Sequence, residues 1–253
     1  MKTLTVCNQK GGAGKTTTAA ALAAGLSRKG YKVLAVDLDP QHNLTAVFAP
    51  AAVAKTIMDV IAGRPTAEAI QKTASGFDIL PGSLDLAIPP EKYTLESLKG
   101  ILGQITRFYD YCVIDTPPAL SVLTMSALVA SDMVVIPAQA ELYSLYGLDQ
   151  IAETVEAVRP YNPGLKIMGI LLNRYNSRRN LDKTMLEVME QKAQEMGTRL
   201  FSQTIRTGVA IQEAPLLRQD IFTASPRAGV TLDYDAFINE LLKGDMYLCQ
   251  RKI

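Results

Sequence analysis

The chain carries 253 residues, with 26 Lys and Arg against 25 Asp and Glu and 48% hydrophobic residues. That length holds one α/β unit or two small ones with ample apolar material for a core, and the near-neutral balance excludes a global attraction to nucleic acid or membrane while leaving local patches open. Cys7 and Cys112 lie in apolar strand-like runs and read as buried thiols suited to a reducing cytosol, and without a signal peptide or an apolar run of about 18 residues neither export nor membrane spanning is expected.

The first predicted strand, 3–7, leads into Gln9-Lys10-Gly11-Gly12-Ala13-Gly14-Lys15-Thr16-Thr17, and a small-residue helix follows over 15–29, closed by Lys29-Gly30. Strand, glycine loop and helix start form the context of a phosphate cradle. Glycines let backbone N–H groups converge on phosphate oxygens, and the helix start adds its positive dipole end. Gly11, Gly12, Ala13, Gly14, Lys15, Thr16 and Thr17 are therefore assigned to nucleotide binding. Lys15 reaches the terminal phosphates and the Thr16 hydroxyl ligates Mg²⁺.

A continuously apolar strand at 32–36 runs into Asp37-Leu38-Asp39-Pro40-Gln41. Carboxylates at i and i+2 share one side of an extended chain, where one can orient an attacking water and the other hold metal-bound water. The plainer alternative is an acidic turn opened by Asp-Pro. A short helix over 56–62 capped by Thr56 and closed by Gly63, a strand at 77–80 and a helix at 94–107 come next. The strand 111–115 then ends in Asp115-Thr116-Pro117-Pro118, a carboxylate placed to reach Mg²⁺, usually through water, before a loop stiffened by prolines. Beyond it are predicted a helix at 121–130, a strand at 133–137, a helix at 144–158 with Ser144 as its cap, a strand at 166–172 running into Asn173-Arg174, and helices at 180–195 and 231–242. Such alternation gives an α/β fold, a doubly wound and mostly parallel sheet with helices on both faces and its ligand at the carboxyl ends of the strands. With no repeat and no linker, residues 1–253 are expected to form a single domain.

The stretch Lys10–Thr16 places Gln9 where the usual phosphate loop has its first glycine, and opens with a second lysine. It resembles the deviant Walker A motif of the ParA/MinD group of P-loop ATPases. Asp37-Leu38-Asp39-Pro40-Gln41 is similar to that group's switch I, although His42 stands where the group usually has glycine, and Asp115-Thr116-Pro117-Pro118 resembles its Walker B and switch II. The resemblance implies an ATPase using ATP and Mg²⁺, with Lys10, Lys15 and Asp39 catalytic and Thr16, Asp37 and Asp115 around the metal. Lys10 would reach across a two-fold interface to a partner's phosphates, giving an ATP-bound homodimer and slow, partner-stimulated turnover. The segment Pro137–Leu148 looks like one that lies at that interface, Asn173 matches an asparagine that contacts the adenine edge, and 204–209 resembles the stretch that closes over the base.

The likeness extends over nearly the whole chain, including Gln212-Glu213-Ala214-Pro215, and is greatest to the Soj/ParA partition branch. That branch implies binding of nonspecific DNA, a ParB-type centromere-binding partner, and a cytoplasmic, nucleoid-associated location. Candidate DNA contacts are Arg174, Arg178, Arg179 and Lys183, then Arg206 and Arg218; ordinary solvated charge is the plain alternative. Ala210 replaces an arginine common in relatives, and His42, the single histidine, is given no catalytic role. Rival readings are a MinD-like membrane-positioning ATPase, which needs an amphipathic basic tail that Gly244-Asp245 is expected to interrupt, and a non-hydrolysing ATP-dependent dimer scaffold. A metabolic ligase of the dethiobiotin or cobyrinate type is a further rival that needs a carboxylate-substrate pocket.

Overall fold

The computed structural model describes residues 1–50 and 52–250, with side chains described through Gly244. Among these residues one seven-stranded sheet is built from β1 (Lys2–Val6), β2 (Val33–Asp37), β3 (Gln71–Lys72), β4 (Asp78–Leu80), β5 (Tyr111–Asp115), β6 (Met133–Gln139) and β7 (Lys166–Asn173). Their order is β3-β4-β2-β5-β1-β6-β7, and every pairing is parallel except the β3–β4 edge. The chain leaves β1 for one side of the sheet and later returns to the other, so the end of β1 lies at the switch point where such sheets hold ligands.

The helices are α1 (Lys15–Arg28), α2 (Asn43–Phe48), α3 (Ile57–Ile61), α4 (Thr66–Ala69), α5 (Ser97–Gly103), α6 (Val122–Val129), α7 (Leu142–Val158), α8 (Asn180–Glu195), α9 (Ala210–Leu216), α10 (Ile221–Ala224) and α11 (Gly229–Gln250). Period-two alternation sorts the strand residues between two cores. Val33, Ala35 and Val113 join α1, α2 and α9 to α11 on one face. Leu34, Val36 and Ile114 pack with α3, α5 and α6 on the other, where Val134, Ile136 and Ile170 continue the layer under α7 and α8. Cys7 and Cys112 are buried free thiols, as expected.

The predicted strands stand within two residues at each end, and the helix at 180–195 and the Thr56 cap, a capping box with Asp59, are as read. Three expectations change. Ser144 is not a cap, because α7 begins at Leu142 and buries Ser144 inside its first turns. The helix expected at 94–107 is shorter, Ser97–Gly103, followed by a 3-10 turn. The helix expected at 231–242 runs on through Gly244-Asp245, since Gly244 packs so near Arg199 that a Cβ would lie 2.8 Å from its Nη2. Residues 251–253 of the tail lie outside the described residues.

The backbone at position 42 accounts for the glycine usual in the family and makes His42 a strained departure from it. His42 precedes α2 with φ 41°, in the left-handed region. A side chain there costs about 1 kcal/mol. We expect His42→Gly to be neutral or up to about 1 kcal/mol more stable in urea titration, and His42→Val to be about 1–2 kcal/mol less stable.

Candidate functional site

The loop between β1 and α1 turns on Gly12 and Gly14, with φ 73° and 95°, a conformation that favours glycine. A Cβ at Gly14 would also sit 2.5 Å from Nδ2 of Asn173, whereas one at Gly11 or Gly12 would meet open space. Three amides, one just past the end of β1 and one at the end of each of β6 and β7, brace this loop. The Asn8 amide donates to the Pro137 carbonyl at 2.6 Å, and its oxygen accepts from the Lys10 N–H at 2.8 Å. Gln139 Nε2 donates to the Gly12 carbonyl and Asn173 Nδ2 to the Ala13 carbonyl, both at 2.9 Å. All three side chains are buried.

The two lysines differ. Lys15 opens α1 and is 7% exposed, and its Nζ donates to the Lys10 carbonyl at 3.2 Å. Burial pushes its pKa down, opposed by the charges of Asp115, Cys7 and Asp39. The Lys10 ammonium is partly exposed and forms an ion pair with Glu141, at the N-cap of α7 in the same chain.

Below the loop lies an acid cluster. Asp37 and Asp115 face each other in register on β2 and β5, and both are fully buried. Asp37 accepts from Thr45 N at 2.8 Å, Thr45 Oγ1 at 2.7 Å and Asp39 N at 3.2 Å. Burial outweighs these bonds and pushes Asp37 up to about 6. Asp115 has no hydrogen bond of ordinary geometry on either oxygen. Burial and then the Asp37 charge push it well above the carboxylate range, moderated by the nearby Thr16 hydroxyl and Lys15. Asp39 is 7% exposed, and its carboxylate accepts from Gln41 N at 3.0 Å.

These residues fit a magnesium–nucleotide pair. A buried carboxylate with two unpartnered oxygens beside a threonine hydroxyl is a defect in a folded chain unless a cation or its water shell completes it. Among the described residues no three His, Cys, Asp or Glu converge as an all-protein metal cage. Mg²⁺ keeps several waters and takes phosphate oxygens, so one or two carboxylates and a hydroxyl serve it. Beside the loop a cleft of 590 Å³ is lined by Gln139, Asn173, Arg174, Arg179 and Gly208 among others. The Asn173 oxygen is buried and unpartnered there. Ile205 bridges to Asn173, which brings 204–209 to the cleft's edge.

The basic candidates do not form one set. Arg174, in the left-handed region at φ 56°, and Arg178, Arg179 and Lys183 are exposed around the start of α8. Arg206 lines one pocket with Arg178, and its guanidinium makes a two-pronged bond to Asp233 at 2.7 and 2.8 Å. Arg218 donates to the Ala49 carbonyl at 2.5 Å. Ala210 is buried in the core at the start of α9, a place for a small apolar side chain and not for arginine. The sequence reading gave no role to Thr45, Asn8 or Gln139. The signal for the two amides was available: an amide at or just past the end of an apolar strand, read at Asn173, recurs at both.

A family described as an AAA domain matches residues 1–167. The sporulation initiation inhibitor protein Soj of Bacillus subtilis is 36% identical over 90% of this chain and 92% of its own length. The chromosome-partitioning ATPase Soj of Thermus thermophilus is 36% identical over 96% of both chains. The chain belongs to the ParA/Soj-type partition ATPases of the ParA/MinD P-loop group. Among solved structures, the cell division ATPase MinD of Pyrococcus furiosus superposes with a TM-score of 0.80 at 26% identity, covering 96% of this chain and 98% of that one. Cobyrinic acid a,c-diamide synthase of Mycobacterium smegmatis, with a bound ATP analogue and magnesium, gives 0.76 at 32% identity over 90% and 97%. The ligands in that relative are the nucleotide and metal expected from this sequence.

The buried carboxyls set a pH test. Because Asp37 and Asp115 hold their protons to higher pH in the folded chain than in the unfolded one, the apo fold is favoured at low pH and loses stability as pH rises from about 4, through about 6 for Asp37 and on to higher pH for Asp115. Asp115→Asn should raise the apo melting temperature at pH 8 by on the order of 5 °C, with the difference shrinking towards pH 4. It should also abolish the magnesium-dependent part of the nucleotide-induced shift. Differential scanning calorimetry across pH, with and without Mg²⁺–ADP, checks both.

Proposed function

We propose that the chain is an ATP-driven dimerising switch that partitions DNA. It binds ATP with Mg²⁺, pairs with a second copy around the nucleotides, holds DNA without regard to sequence in that state, and resets by slow hydrolysis that a ParB-type partner accelerates. The observation that carries this reading is the pair of lysines on one loop, one buried over the acid cluster and one partly exposed at the loop's entrance. Lys15 serves the nucleotide of its own chain. Lys10 opens the loop, too early to duplicate Lys15, and open space at Gly11 and Gly12 leaves room for a facing subunit. A cation delivered across an isologous interface stabilises charge on the transferring phosphoryl group.

Within one subunit, Thr16, Asp37 and Asp115 surround the metal site, and Asp39 orients the attacking water. Bound Mg²⁺ neutralises and aligns the phosphates. The unpartnered Asn173 oxygen accepts from the adenine amino group while its NH₂ remains on Ala13. Arg174, Arg178, Arg179 and Lys183 are the favoured DNA contacts, doubled by the dimer. Arg206 and Arg218, already engaged by Asp233 and Ala49, are weaker candidates. This reading takes residues 1–253 as one ATPase unit and places it in the cytoplasm on the nucleoid. Among the described residues no helix is long and apolar enough to cross a membrane.

The kinship with cobyrinic acid a,c-diamide synthase lies in a shared nucleotide scaffold and keeps a ligase as the rival of another class. A retardation assay on nonspecific DNA with ATP, ADP or no nucleotide separates the two. The partition reading expects retardation with ATP alone, and an Arg178→Glu/Lys183→Glu double variant should weaken it by about tenfold or more and flatten its salt dependence. Equal retardation with ADP, or none with any nucleotide, contradicts it. Lys10→Ala should keep ADP binding and lose ATP-dependent dimers by light scattering, with turnover falling by about a hundredfold or more; wild-type-like dimers would sink the role given to Lys10.

A further inference from the structure

Residues 139–141 join β6 to α7 and touch the phosphate loop at two points. The first is the Gln139 amide. Its Nε2 lies 2.9 Å from the Gly12 carbonyl, which can only accept, so the NH₂ end of the side chain must face the loop. Gln139 is 7% exposed, and its place at a strand end gives it little freedom to move. A peptide plane cannot present its N–H and its C=O on the same side. By holding the Gly12 carbonyl towards the sheet, the amide turns the following N–H, that of Ala13, the opposite way, into the space where phosphate oxygens belong. Asn173 does the same for the Ala13 carbonyl and so for the Gly14 N–H.

The second point is Glu141, whose carboxylate holds the Lys10 ammonium. While that pair is closed, Lys10 is neutralised within its own chain and unavailable to another. Glu141 also stands at the N-cap of α7, next to the exposed side chains of Leu142, Tyr143 and Tyr146. One short junction therefore holds the carbonyl in the middle of the loop and the cation at its entrance.

We infer that Gln139 and Glu141 form a two-point clamp on the phosphate loop: Gln139 is a positioning residue that aims the loop's N–H groups, and Glu141 stores Lys10 in the nucleotide-free chain. The inference rests on the nucleotide reading of the loop and goes beyond it, because it requires the two residues to act with opposite sign. Removing the Gln139 donor weakens phosphate binding. Removing the Glu141 charge frees Lys10 and favours the ATP dimer.

The test compares Gln139→Met, which keeps volume and loses the donor, Gln139→Glu, which also adds charge, and Glu141→Gln, which keeps shape and loses charge. Mg²⁺–ADP affinity by calorimetry and the apo melting temperature are measured for the first two, and the protein concentration for half-dimerisation with Mg²⁺–ATP for the third. We expect Gln139→Met to bind ADP several-fold more weakly with an apo melting temperature lowered by only a few degrees, and Gln139→Glu to bind more than about tenfold more weakly with a larger fall, since a buried carboxylate adds its own cost. Glu141→Gln should dimerise at about two- to thirtyfold lower concentration, the range for the two solvent-exposed ion pairs that each symmetric dimer releases. Wild-type ADP affinity in Gln139→Met, or weakening matched by an equal loss of apo stability in both variants, overturns the positioning role. Unchanged or weaker dimerisation of Glu141→Gln overturns the storage role. If the wild-type chain itself fails to bind ADP, the nucleotide reading falls, and the clamp with it.

Discussion

Asp37, Asp39 and Asp115 crowd the ends of two adjacent strands, and a single buried ammonium, that of Lys15, stands above them. The register of β2 on β5 forces two of these carboxyls to face each other in a space that water does not reach. Neither gives up its proton as readily as a solvated carboxyl, and neither Asp115 oxygen has a hydrogen bond of ordinary geometry. A folded chain tolerates such an arrangement only when something outside it restores the balance. The site is short of positive charge, a shortage that a metal ion arriving with phosphates would make good. Much of the nearby structure is organised around that shortage. Thr45 at the start of α2 is tied to Asp37, and its hydroxyl also receives the Gly82 N–H at 2.8 Å, so the first switch segment and the loop after β4 meet at one carboxylate.

The same economy appears in the loop above. Its Gly12 and Ala13 carbonyls are drawn towards the sheet by the amides at the ends of β6 and β7, which turns the following N–H groups the other way, while the Asn8 oxygen beside the end of β1 accepts from the Lys10 N–H at the loop's entrance. An amide is the side chain for this task, since it is neutral, donates and accepts at once, and can be buried among acids without adding to their charge. The left-handed glycines supply the turn; the amides hold it in one conformation. A loop held from three sides also links nucleotide occupancy to α7, because Gln139 and Glu141 flank the start of that helix.

Sequence pattern carried the elements that place the chemistry. Continuous apolar runs located β2 and β5, with β5 read to the residue, and each strand-end acid or amide followed from them. What escaped was short or depended on tertiary contact. α2, α9 and α10 span six, seven and four residues, too few for a helical period to emerge. The antiparallel β3 has only two residues. Gly244 looked like a helix breaker because the reason for a glycine, the Arg199 side chain against the helix, is distant in sequence. Ser144 looked like a cap because the true start of α7 at Glu141 has no side-chain cap bond to advertise it. Among the basic residues, charge alone did not separate Arg206, exposed but paired with a buried aspartate, from Arg178 and Lys183, for which no such carboxylate partner is seen among the described residues.

Whether Lys10 serves its own nucleotide or a partner's is the point on which the functional account turns, and trans-complementation addresses it directly. Lys10→Ala and Lys15→Ala chains are prepared separately, each expected to be inactive, and ATP turnover is measured on the equimolar mixture. If Lys10 acts across the interface, a mixed dimer contains one complete site, with Lys15 from one chain and Lys10 from the other, and turnover recovers to roughly a quarter of the wild-type value. A mixture as inactive as its separate components, under conditions where the wild-type chain dimerises, would contradict the account.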